Sequence, residues 1–132
     1  MTLLPRILGA ITVLYSAAII VRPRLLAGPC DLVDKAGEPL PGVSTLIAAV
    51  GARDLAIGAA MVAAPEGVAL RTAIAARVAS DLSDAAVFGS TLPTRGARTR
   101  IGVFALVWAT ACALSMPAWR RTAYGRPMSR HD

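Results

Sequence analysis

The chain has a single histidine, His131, in the polar C-terminal stretch 120–132. A bis-histidine haem or a histidine-rich metal site therefore has no ligands to draw on. Cysteine is nearly as scarce. Cys30 falls between hydrophobic runs and Cys112 within one, at different depths and without metal-ligand spacing, which argues against a disulfide and against redox chemistry. The chain carries no Ser-His-Asp set, reactive Cys-His pair or glycine-rich phosphate loop. Ordinary hydrolase, kinase and metalloenzyme chemistry has no support, and no cofactor is expected.

Charge is sparse as well: 17% of the 132 residues are charged against 55% apolar. That balance is too greasy for a small soluble domain and reads as one integral-membrane unit over 1–132. The net charge of +6 would suit nucleic acid, but the arginines flank apolar runs and share no aromatic-bearing polar surface. Membrane lipids with anionic headgroups are the expected partner, and nucleic acid is not.

What the chain does have is long apolar runs, at about 3–21, 43–64, 68–92 and 101–119. Each is near the roughly 17 to 25 residues that a spanning helix needs. The expected fold class is all-α: a compact four-helix transmembrane bundle, multi-pass in the cell membrane. The prolines fit these limits. Pro5 falls in a first turn, Pro117 in a last turn, and Pro23, Pro29, Pro39, Pro41, Pro65, Pro93 and Pro127 in connections or the tail, so no helix centre is broken. Leu26-Ala27-Gly28 resembles the start of a lipoprotein cleavage box, but Pro29 separates Gly28 from Cys30, and Arg22 and Arg24 directly follow the apolar run. A retained first helix is expected.

Five ionisable side chains interrupt these runs: Arg53 and Asp54 in the second, and Arg77, Asp81 and Asp84 in the third. Charge at bilayer depth costs roughly 2.5 to 3.5 kcal/mol per residue on insertion scales, so it usually faces a protein interior and serves a purpose. The turn Pro65-Glu66-Gly67 is so short that the second and third helices must be antiparallel neighbours, which brings the two charged sets to similar depth. Arg77, Asp81 and Asp84 follow i, i+4, i+7 spacing and share one face, with Ser80 at its margin and Phe88 one turn further. Arg53 and Asp54 point about 100° apart, so they cannot both aim at the same spot on the third helix. Two cations against three carboxylates leave one carboxylate in excess. In a low-dielectric interior it should bind a proton or attract a cation, with Asp81 or Asp84 the expected group.

Small residues crowd the second and third helices, including Gly51, Gly58, Ala73 and Ala76. Simple helix packing explains them better than ligand contact, and the same faces would serve a homo-oligomer. The segment 22–42 is long for a bundle connection. It is expected either to lie across the membrane interface as a lid or to be a surface loop. Lys and Arg divide equally between the two sides, so their count assigns no orientation.

The run Gly51-Ala52-Arg53-Asp54-Leu55-Ala56-Ile57-Gly58, followed by Arg77-Val78-Ala79-Ser80-Asp81-Leu82-Ser83-Asp84, resembles the signature of a family of small four-helix bacterial and fungal membrane proteins of unknown function. The four-span pattern covers nearly the whole chain, while the specific match rests on G-x-R-D-L-x-x-G and a downstream aspartate. The resemblance implies a compact membrane bundle with Arg53, Asp54 and Asp81 or Asp84 in a shared polar core. It implies no particular reaction.

The residues that remain suit acid/base work. A protonated aspartate can donate to an oxygen, an ionised one can take a proton or orient water, and arginine can stabilise developing negative charge. The expectation is an intramembrane enzyme, of cyclase, isomerase or epoxide-hydrolase type, acting on a lipophilic small molecule. Asp81 and Asp84 would be acid and base, Arg53 and Arg77 electrostatic stabilisers and Asp54 an orienter, with Ser80, Phe88 and Trp108 binding substrate. The alternatives are a proton-coupled transport or carrier subunit, since intramembrane charges also mark ion pathways, and a structural assembly protein whose ion pairs only fix helix packing.

Overall fold

The computed structural model describes residues 2–117. Within them the chain is all-helical, with α1 (Leu3–Val21), a single turn α2 (Arg24–Ala27), α3 (Val43–Ala63), α4 (Val68–Thr91) and α5 (Arg95–Leu114). Three of these, α1, α3 and α5, are long and apolar enough to cross a membrane. The longest, α4, carries Arg71, Arg77, Asp81 and Asp84 along its length.

The four long helices run up and down in turn. α1 packs along α3, α4 packs along α5, and the two pairs meet through a slighter contact between α3 and α4. Glycine makes the first pairing possible: a Cβ on Gly58 would stand 2.9 Å from the Gly9 carbonyl oxygen, and one on Gly9 would stand 2.8 Å from the Met61 Cβ. Backbones this close exclude any larger residue at the crossing. Arg6 of α1 donates to the carbonyls of Val62 and Ala64, satisfying the open end of α3.

The core is small and apolar, built from Leu8, Met61, Leu70, Ala73, Ile74 and Cys112. The outer surface is apolar too: Leu3, Leu14, Leu46, Val68, Val107 and Leu114 are all exposed. An exterior of this kind fits a hydrocarbon solvent better than water.

Two expected boundaries move. The last helix begins at Arg95, six residues before the expected start at 101, because Thr94 caps it and accepts from the Ala97 amide at 3.1 Å. Its first turns are arginine-rich, which hydropathy alone reads as a flank. It ends at Leu114, so Pro117 lies just past the helix and not in its last turn; residues 118–119 and the polar stretch 120–132 lie outside the described residues.

The segment 22–42 is ordered. It contains α2, an isolated bridge between Val33 and Pro39, and Asp31 in a left-handed conformation at φ 57°. Cys30 is buried beneath it against Leu92 and Ala97. Both cysteines are free thiols in separate clusters.

A candidate acid/base cavity inside the bundle

The short turn 65–67 sets α3 and α4 antiparallel, and their charged residues meet near the middle of both helices. Arg53 holds Asp84 with two parallel bonds, Nη1 to Oδ1 at 3.1 Å and Nη2 to Oδ2 at 2.6 Å, and turns its Nε back to Asp54 at 2.9 Å. Arg77 holds Asp81 one turn along its own helix, through Nε to Oδ2 at 2.9 Å and through Nη2 to Oδ1. Its Nη1 stands 3.1 Å from Asp54 Oδ1 as an ion pair, yet makes no hydrogen bond among the described residues. The pairs are two-pronged, the geometry in which arginine binds carboxylate most firmly.

Asp81 and Asp84 thus each have a guanidinium of their own, and Asp54 is shared by both arginines. Asp54, Arg77 and Asp81 are buried, while Arg53 is half-buried and reaches in from the side. The long arginine side chain overcomes the 100° divergence between positions 53 and 54, so both residues join one network.

A cavity of about 560 Å³ opens beside this network. Asp54, Arg77, Asp81 and Asp84 form its polar wall, on α3 and α4. The facing wall is supplied by α1 and α5: Ile11, Thr12 and Tyr15 from one, Phe104, Ala105 and Trp108 from the other. Phe104 stacks on Trp108 with ring centroids 6.2 Å apart, and Tyr15 meets Phe104 at 6.3 Å. The Trp108 indole donates to Thr12 Oγ1 at 3.3 Å, tying α5 to α1. Leu26 and Pro29 of the 22–42 segment close one end, beside Arg100.

Of the residues expected at the site, Asp54, Arg77, Asp81, Asp84, Phe88 and Trp108 all line the cavity. Arg53 touches the cavity only through its two carboxylate partners. Ser80 is buried but off the lining, and its hydroxyl has no hydrogen-bond partner among the described residues; at the margin of the charged stripe it turns away from the space. The expectations missed Thr12, Tyr15, Arg100 and Phe104. Aromatic scarcity held a clue: all four aromatic residues in the described part, Tyr15, Phe88, Phe104 and Trp108, face this one cavity.

Chemically, the cavity joins an apolar, aromatic volume to a wall of carboxylates and guanidinium held in fixed orientation. Such a wall can donate, accept or hold a proton next to a greasy ligand. Comparison of the chain with protein-family models, with curated proteins and with solved structures finds no match.

Proposed function

We propose that all four long helices span a membrane and that the cavity is an acid/base site for a lipophilic small molecule, working by isomerisation, cyclisation or epoxide opening. The carrying observation is the convergence of Asp54, Arg77, Asp81 and Asp84 on one face of a mostly apolar space. Arg77, Asp81 and Asp84 of α4 line the cavity, so this helix too can present an apolar surface to lipid.

In such a reaction one carboxyl group gives its proton to a ligand oxygen or carbon while another carboxylate takes a proton from a neighbouring position. Arginine fixes the geometry of both and opposes negative charge as it develops. For isomerisation and cyclisation no proton is gained or lost overall, which suits a site enclosed by hydrocarbon.

The test compares lipophilic metabolites in cells carrying the native chain and cells carrying Asp81→Asn with Asp84→Asn, at matched membrane levels. Accumulation of one compound beside loss of its isomer, hydrate or cyclised product is expected. Identical profiles would remove the enzyme reading.

Two other readings have an observation each. Three carboxylates against two guanidinium groups suit a proton-coupled carrier, in which the surplus carboxylate loads and unloads a proton. Proton or solute flux in proteoliposomes would favour it. The ion pairs also bridge α3 and α4 where helix contact is slight, which suits a purely structural role.

A further inference from the structure

The cavity has an opening on the side of the bundle. α1 and α5 hardly approach each other along their backbones and are joined by side chains alone, Tyr15 to Phe104 and Trp108 to Thr12. Ile11, Tyr15 and Phe104 line the cavity and are also 45%, 41% and 55% exposed on the outer surface. A residue that belongs to both the lining and the exterior marks a portal.

The end of the cavity is closed. Asp31 accepts from the Thr94 hydroxyl, and Arg100 donates to the Pro29 carbonyl at 2.8 Å while lying 3.5 Å from Asp31. The segment 22–42 is thus pinned over the cavity as a roof, with Leu26 and Pro29 pointing down.

The portal also lies within the hydrocarbon. Phe104 is four residues past Arg100, about 6 Å at 1.5 Å per residue, and Ile11 is eight residues into α1 from Leu3, about 12 Å, so the opening runs from below the arginine flank toward the middle of a hydrocarbon core about 30 Å across. A lipid headgroup stays at the interface, outside it. The charges of the wall point the same way. Three carboxylates against two arginines repel an anion, and Arg100, the other cation on the lining, is engaged by the roof. Arg77, which is 5% exposed, holds Nη1 3.1 Å from Asp54 Oδ1 as an ion pair outside hydrogen-bond geometry. A buried N–H donor so placed can take a further acceptor oxygen.

We propose that the ligand is an uncharged lipophile carrying an acceptor oxygen, such as a ketone, epoxide or alcohol, that enters from the bilayer interior between α1 and α5 and sets its oxygen against Arg77. This rests on the acid/base reading of the same cavity and names its substrate class and route.

The experiment uses the Trp119→Phe chain in proteoliposomes, where Trp108 is the sole tryptophan, and follows its fluorescence on adding brominated probes of equal chain length. The probes are a mid-chain ketone, the parent alkane, the fatty acid and the alkylammonium. Saturable quenching by the ketone above the linear background is expected, with background quenching alone from the other three. Equal saturation by the alkane, tighter saturation by either charged probe, or no saturation by the ketone would each overturn the proposal. Ile11→Phe narrows the portal and should slow the onset several-fold. Arg100→Gln loosens the roof and should leave the onset rate alone. Faster onset in the roof variant, or an unchanged rate in the portal variant, would overturn side entry. Saturable ketone binding alongside unchanged metabolite profiles in the Asp81→Asn, Asp84→Asn chain would keep this site while removing the catalytic reading.

Discussion

Arg77 is the residue on which the buried network turns, because its guanidinium satisfies Asp81 and faces Asp54 from a position almost closed to solvent. Truncation to alanine would leave two carboxylates without that cation, and removing one partner of a buried pair typically costs about 3–5 kcal/mol. Replacing the pair together, Arg77→Met with Asp81→Leu, should recover most of that loss in a chemical-unfolding titration in detergent while abolishing any metabolite change. Retained metabolite conversion in the recovered double variant would favour the structural reading. The network was legible in the chain because i, i+4, i+7 spacing and a three-residue turn fix depth and face. Its partner assignments were not: they depend on how a flexible arginine folds back, and no periodicity encodes that. Cys30 gives a second test at this scale. Burial, with Asp31 adding and Arg100 opposing, pushes its thiol from 9.0 up to about 11. The folded chain keeps this proton to a higher pH than the unfolded chain does, so its contribution is complete below pH 9.0 and is lost as pH rises toward about 11. In a Cys112→Ala background, Cys30→Ala should flatten the fall in thermal stability across that window.

Among the elements, the α1–α3 pair depends on absent side chains. Gly58→Ala would place a Cβ 2.9 Å from the Gly9 carbonyl and 3.1 Å from Thr12, backbone and β-carbon that cannot easily move. A destabilisation of about 1–3 kcal/mol is expected from such overpacking, read as a lowered melting temperature in detergent. Gly89→Ala, where nothing lies within 4 Å, serves as the control and should change little. Helix limits could be read closely for α1 and α3, whose apolar runs coincide with the helices. The start of α5 was missed because arginine flanks look the same whether they are coiled or helical, and only the Thr94 cap decides. The 22–42 segment was harder still. Its order comes from Asp31, Thr94 and Arg100, residues that lie 63 and 69 positions apart in sequence, and no local pattern announces contacts of that range.

At the scale of the whole molecule, the described residues set Asp54, Asp81, Asp84 and four aromatic rings around one cavity and leave many aliphatic side chains on the outer surface. All-helical architecture and an apolar exterior followed from composition and run length. The cavity did not, since it arises where α1 and α5 fail to close, and a gap has no sequence signature. The architecture also divides evenly. α1 with α3 and α4 with α5 are each a helical hairpin packed along its own length, and the halves are joined by the slight α3–α4 contact, the turn 65–67 and side-chain contacts such as Arg53 to Asp84, Tyr15 to Phe104 and Trp108 to Thr12. Asp54 belongs to one half, and Arg77, Asp81 and Asp84 belong to the other. The polar wall is therefore a product of docking: Arg53 with Asp54 and Arg77 with Asp81 are paired within their own hairpins, and bringing the hairpins together adds Arg53 to Asp84 and Arg77 to Asp54, which neither half can make alone.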